Sequence, residues 1–249
     1  MKYGILADIH ANLPALQTVL RDAERQGCTH YACLGDIVGY YWHPNECVDI
    51  IRGMNIPCVQ WNHDLYCSGE HPLDGFNLKA AEAVRWTRAQ LSEDDRQWLR
   101  SLPRVLIVDG FTIVHATLDR PELWGYVFDT SMASASFAGQ ETPVSFFGHT
   151  HVPVAFVRDS TVHGGTFSRI KVESGKRYFI NAGGVGQPRD TNPKAAYVTF
   201  DLEAQMVELR RVDYPRSEPP PDAPDFFHKP KPPADPTGPA NARENEEWN

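Results

Sequence analysis

The sequence has no excess of positive charge: 24 Lys and Arg stand against 32 Asp and Glu, a formal net charge of -8. Spread positive charge is what draws proteins to polyanions, so general nucleic-acid binding and adsorption to anionic membranes are not expected. Long apolar runs are missing too. A bilayer-spanning helix needs about 20 apolar residues, no stretch approaches that, and the opening residues reach charged Asp8 without the profile of a secretory leader. A cytoplasmic protein with no membrane partner is the expectation. Cysteine is scarce and unpatterned: Cys28, Cys33, Cys47, Cys58 and Cys67 are odd in number and form no Cys-x-x-Cys pair. That argues against a disulfide framework or a zinc ribbon and for buried free thiols. There is also no P-loop and no solenoid-type repeat. Apolar side chains are plentiful, at 41% hydrophobic and 11% aromatic in 249 residues, enough for a core of ordinary size.

Proline accumulates at one end. Residues 215–249 hold ten of the 20 prolines, interleaved with charge, a composition that cannot form a packed core. The expected organisation is one domain over 1–214 followed by an irregular tail over 215–249. A surface-draped tail is the plain reading and a docking peptide for a proline-reading partner the alternative.

Upstream, short apolar runs alternate with helical patterns. Residues 3–7 read as a buried strand; the next helix has Asn12 as N-cap, Pro14 in its first turn, Leu16, Val19, Leu20 and Ala23 on one face, and Gly27 as its stop. A strand at 31–34, a helix at 46–52 and a third strand at 57–60 complete an alternation that implies parallel pairing. Helices are expected at 78–89 and 93–102. Beyond Arg104 the pattern turns to strands, at 105–109, 112–115, 144–147, 154–157, 178–180, 196–201 and 207–211, which suits two sheets rather than one.

Five of these runs end in a turn carrying metal-capable side chains: Asp8 and His10, Asp36, Asn62 with His63, His115, and His149 with His151. In open α/β sheets ligands gather outside the carboxyl ends of strands, so residues distant in sequence converge there. Taken singly, each has a plain alternative: a helix-capping carboxylate beside a surface histidine, a simple Gly-Asp turn, or a satisfied core histidine. Taken together, four imidazoles, two carboxylates and an amide without a thiolate suit two borderline-to-hard divalent ions, such as Mn, Fe, Co, Ni or Zn, and are excessive for one tetrahedral zinc.

Asp8-Ile9-His10, Gly35-Asp36, Asn62-His63-Asp64, His115 and Gly148-His149-Thr150-His151 resemble, in order, the motifs of the calcineurin-like metallophosphoesterase superfamily. The similarity is strongest to its short prokaryotic phosphodiesterase-like branch and runs from Met1 to about Asp201. The resemblance implies an α/β fold, a four-layer αββα sandwich of two mixed β-sheets. It implies that Asp8, His10, Asp36 and His151 hold a first metal ion and that Asp36, Asn62, His115 and His149 hold a second, with Asp36 bridging. His63 would be left off the metals, facing the phosphate as proton donor or charge stabiliser. The implied activity is hydrolysis of phosphodiesters or small phosphorylated metabolites by a hydroxide shared between the ions, since metal binding can lower the pKa of water to about 7. Two departures from the family's usual pattern stand out: Trp61 precedes the Asn-His pair and Ala116 follows the mid-chain histidine, where glycine is usual.

Near the motifs lie Tyr40, Tyr41, Trp42, His43, Trp61, Arg120, Tyr126 and Arg189. They read as an aromatic slot for a nucleobase, with Trp61, Arg120 and Arg189 as substrate contacts; ordinary packing is the competing account. The Gly183-Gly184-Val185-Gly186 run reads as a tight turn near the site. A catalytically silent interaction scaffold of the same fold, and a nuclease requiring a capping domain and a basic groove that the sequence does not display, are the rival functions.

Overall fold

The first buried strand, β1 (Lys2–Leu6), ends at the turn bearing Asp8 and His10, and α1 (Leu13–Arg25) follows. The Asn12 side chain accepts the Ala15 N–H at 3.3 Å and Pro14 sits in the first turn, which satisfies an otherwise orphan donor and presets the helical φ. Ala15, Leu16, Val19 and Ala23 make its buried face. In this computed structural model residues 1–74, 76–216, 218–221 and 223 are described, so most of the proline-rich tail lies outside the described residues.

The remaining elements are β2 (His30–Cys33), α2 (Pro44–Gly53), α3 (Asn62–Ser68), α4 (Leu78–Gln90), α5 (Glu93–Ser101), β3 (Val105–Val108), β4 (Phe111–Val114), α6 (Thr130–Gly139), β5 (Val144–Phe147), β6 (Ala155–Arg158), β7 (Val162–Gly165), β8 (Arg169–Lys171), β9 (Arg177–Asn181), β10 (Ala195–Asp201) and β11 (Met206–Val212). One sheet runs β2-β1-β10-β11-β8 and the other β3-β4-β5-β9-β6-β7. Both are mixed: β1 pairs β2 in parallel and β10 antiparallel, while β4, β5 and β9 are parallel neighbours flanked by antiparallel β3 and β6.

Alternation along each central strand shows why the layers stack as they do. Ile5 and Val198 point into the core between the sheets, whereas Leu6 and Tyr197 point to the core under α1 and α2. In the second sheet Phe146 and Ile180 enter the inter-sheet core while Phe147 and Phe179 pack with Phe137 of α6. Strands buried on both faces read as continuous apolar runs, and the result is a four-layer α/β sandwich of two mixed sheets. The five cysteines are free and buried. Among the described residues no helix is long and apolar enough to cross a membrane.

Two differences from the sequence reading are physical. The strand expected at 57–60 contributes only a single parallel bridge, Cys33 to Cys58, because the chain turns at once into α3. Helix α6, of sequence TSMASASFAG, spreads small and apolar residues around all its sides and so shows no helical period, and the short strands β7 and β8 are held by their partners in the sheet.

Candidate metal centre

Because β1 is parallel to β2, and β4 to β5 and β9, the carboxyl ends of five strands lie along one edge of the sandwich. The turns leaving them bring Asp8, His10, Asp36, His115, His149 and His151 together, all of them buried. Cross-sheet hydrogen bonds stitch the edge. Val185 N–H donates to Ala7 O and Gly186 N–H to Asp8 O, both at 2.9 Å, while the His149 N–H meets the Asp8 carboxylate at 3.1 and 3.2 Å. Gly186 is needed for this approach, since a Cβ there would lie 1.9 Å from the Ile9 carbonyl oxygen. The glycine run after β9 is thus a turn at the site.

The turns are strained. Asp8, His10, Asp36, His149 and His151 all adopt positive φ, between 49° and 66°, which costs about 1–2 kcal/mol for each non-glycine residue. Backbone bonds such as His10 N–H to Asp36 O, 2.8 Å, hold them there. Asp64, fully buried, accepts the N–H groups of Asp36 (2.8 Å), Ile37 (2.9 Å), Val38 (3.4 Å) and Trp61 (3.3 Å). It ties the Asp36 turn to the start of α3. Over-represented strain of this kind is a mark of functional sites.

The hydrogen bonds fix the tautomers. His10, His115 and His151 each place Nδ1 on a backbone carbonyl, that of Val38 (3.1 Å), Leu34 (2.6 Å) and Gln187 (2.5 Å). A carbonyl only accepts, so Nδ1 carries the proton and Nε2 is a bare lone pair. The Nε2 atoms of His10 and His151 nevertheless face each other at 3.2 Å. His151 Nε2 lies 3.3 Å and His115 Nε2 3.4 Å from Asp8 Oδ1; His10 and His115 Nε2 lie 3.6 and 3.5 Å from Asp36 Oδ2. His115 Nε2 and Asn62 Oδ1 are buried without any hydrogen-bond partner.

Electrostatics sharpen the point. Burial, with the mutual repulsion of neighbouring histidines and the charge of Arg189, holds His10 and His151 well below the ordinary imidazole range. Burial followed by Arg189 brings both His63 and His149 down to about 3. The imidazoles are neutral at physiological pH. Burial pushes the Asp8 carboxyl up to about 8 and Asp36 well above the carboxylate range, Asp64 adding repulsion to both. In the dry cage two imidazole lone pairs face each other and burial holds the neighbouring carboxyls protonated; a divalent cation that displaces those protons pairs with the lone pairs and both carboxylates at once. Among the described residues, three groups of histidines and carboxylates have ligand atoms within 4.8 Å of one another: Asp8, His10, His151; His10, Asp36, His63; and Asp36, His115, His149. The donor set fits divalent metal.

Residues 1–205 match the model of the calcineurin-like phosphoesterase superfamily domain. The chain belongs to that superfamily. A metallophosphoesterase from Sphaerobacter thermophilus, of known crystal structure, is 40% identical with a TM-score of 0.75, covering 86% of this chain and 89% of that one. An uncharacterized protein of Methanocaldococcus jannaschii is 38% identical over 217 residues, 85% of this chain and 87% of its own length. A hypothetical protein from Pyrococcus horikoshii shares the fold at 20% identity, with a TM-score of 0.69 over 86% of this chain and 89% of its own.

In this member of the superfamily the residues read as substrate contacts part company. Arg189 is at the rim, its guanidinium 5.9 Å above the Tyr40 ring and hydrogen-bonded to Gln187. Arg120 pairs with its neighbour Asp119 at 3.7 Å. Trp61, read as a substrate contact, is 0% exposed and therefore offers no surface to substrate. It stacks on His115 (ring centroids 4.8 Å, 26°), meets Trp124 edge-on (4.3 Å, 85°) and donates its Nε1–H to His149 Nδ1 at 3.1 Å. His63 lies in the first turn of α3, against His10 and Tyr40, and its Nδ1 is buried without a partner. Gly39, at φ +89°, leaves it room: a Cβ there would sit 2.5 Å from that nitrogen. The sequence reading gave no role to Trp124 or Asp64. Trp124 carries no local signal, whereas Asp64 was visible as the residue following the Asn-His pair.

Proposed function

We propose that this chain is a metal-dependent phosphoric ester hydrolase acting on phosphodiesters or small phosphorylated metabolites. Asp8, His10, Asp36 and His151 would hold one divalent ion, and Asp36, Asn62, His115 and His149 a second, drawn from Mn, Fe, Co, Ni or Zn. The observation that carries the reading is the opposed pair of bare Nε2 atoms, His10 and His151, 3.2 Å apart beside two buried carboxylates. Bound ions of this kind supply acidity to water and positive charge to phosphoryl oxygens.

The chain's own residues account for the rest. Second bonds from Nδ1 to backbone carbonyls orient His10, His115 and His151 and raise their basicity as ligands. His63 is neutral, and with Nδ1 buried and partnerless its proton belongs on Nε2, from which it donates a hydrogen bond to the leaving oxygen. Arg189 at the rim supplies a fixed positive charge for a further phosphate. Tyr126 stacks on His149 (4.1 Å, 21°) and Phe128 on Tyr126 (5.4 Å, 8°), with Phe128 61% exposed. This two-ring stack running outward from the site favours a substrate with a flat aromatic group, such as a nucleotide.

The test is a panel of nitrophenyl monoester, nitrophenyl diester, cyclic nucleotides and dinucleoside polyphosphates, each with Mn, Ni and Zn. Metal-dependent turnover of at least one ester is the expected result, and hydrolysis of the diester alone would settle the class. The second reading, a catalytically silent scaffold, is favoured by the indole hydrogen bond that occupies His149; it requires that no ester on the panel turns over with any metal.

A further inference from the structure

Four histidines serve the cage, but they are not equivalent. His10, His115 and His151 keep Nε2 bare toward the cluster while Nδ1 donates outward to a carbonyl. His149 is built the other way. Its Nε2 approaches the Trp124 carbonyl at 3.2 Å, an acceptor, so Nε2 carries the proton and Nδ1 holds the single lone pair. That lone pair is taken by the Trp61 indole N–H at 3.1 Å. Trp61 cannot leave easily: it is fully buried, with one ring contact on His115 and another on Trp124. Arg104 in turn lies 5.4 Å over the Trp124 ring.

We propose that Trp61 gates the second metal position: the indole N–H competes with the cation for His149 Nδ1, so the cage fills in two unequal steps. At the first position, formed by Asp8, His10, Asp36 and His151, neither histidine Nε2 meets an N–H donor, and the His149 and His63 backbone N–H groups that reach its two carboxylates leave them further lone pairs. The second has two partnerless atoms that invite a cation, Asn62 Oδ1 and His115 Nε2, and one ligand that must first be released. Breaking a buried hydrogen bond without replacing the donor's partner weakens the second step by about tenfold to a hundredfold. The inference rests on the metal reading above and adds to it an order of loading set by a residue that is not itself a ligand.

The test is calorimetric titration of the full chain with Mn, beside the Trp61→Phe variant, which keeps a ring on His115 and removes the N–H. Two dissociation constants separated by at least about tenfold are expected for the parent, with the second tightened about tenfold or more in the variant and the first unchanged. A second measurement needs no variant. With ¹⁵N-labelled indoles and Zn, one of the six tryptophan Nε1–H signals should stay in place through the first equivalent and move during the second. Two ions bound with a single affinity, an unchanged separation in Trp61→Phe, or six indole signals indifferent to the second equivalent would each overturn the gate. Failure of the chain to bind any ion would overturn the metal reading as well, so the two failures are distinguishable.

Discussion

Removing the Asp64 carboxylate should unfasten the cage from behind without touching a proposed ligand. Its Oδ2 accepts from Asp36 at 2.8 Å and its Oδ1 from Ile37 at 2.9 Å, with longer contacts to Trp61 and Val38 at 3.3 and 3.4 Å. Asp36, Ile37 and Val38 are buried, so no water replaces the lost acceptor. Burial pushes the Asp64 carboxyl up to about 7, so above that pH it is ionised and each hydrogen bond to it contributes about 1.5–3 kcal/mol, while a stranded buried donor costs about 1–3 kcal/mol. Counting the two short bonds fully and the long ones little, Asp64→Ala should lose ~4 kcal/mol of stability, and Asp64→Asn, which keeps one acceptor oxygen, ~2 kcal/mol. The Asp36 turn, held at positive φ by those bonds, should then relax, and metal affinity should fall with stability. Guanidinium unfolding of the metal-free chains, followed by circular dichroism, reads the first effect and calorimetry the second. A loss under ~1 kcal/mol for Asp64→Ala, with metal affinity intact, would refute the reasoning.

Three further outcomes follow from the same geometry. His63→Ala should retain its metals while kcat falls by about 10² to 10⁴; metal analysis beside steady-state kinetics checks this, and unchanged turnover removes His63 from the chemistry. Asp36→Ala should lose metal occupancy together with hydrolysis, since Oδ2 faces both His10 and His115; a fully metallated, active variant contradicts the bridging role. The Tyr3 hydroxyl donates to Asp109 at 2.5 Å, and burial with that partner raises its pKa from 10.0 to about 12. A pKa raised by folding stabilises fully below the unfolded value and is lost as pH climbs through the folded one. Unfolding midpoints should therefore drop between pH 10 and 12 by more in the parent than in Tyr3→Phe; parallel curves would disprove the link.

Much of the fold was legible in the sequence because its signals are local. Asn12 and Pro14 announce α1, and doubly buried strands such as Val144–Phe147 stand out as short apolar runs between turn residues. Helix α6 was not legible, since alternating Ala and Ser give no apolar period, and β7 and β8 are short strands whose pairing is decided by neighbours far along the chain.

The sequence by itself determined which chemical groups stand at strand ends: imidazole, carboxylate and amide, in an order matching one superfamily. It also displayed Trp61 as a departure. Only the tertiary structure decided what that departure does. Residue type fixes what a side chain is able to bind, but which nitrogen of His149 is bare, and that an indole N–H already occupies it, depends on the Trp124 carbonyl and the Trp61 ring arriving from distant segments. The positive φ angles at Asp8, His10, Asp36, His149 and His151 belong to the same class: local preference opposes them, and they persist because hydrogen bonds from both sheets hold them in place.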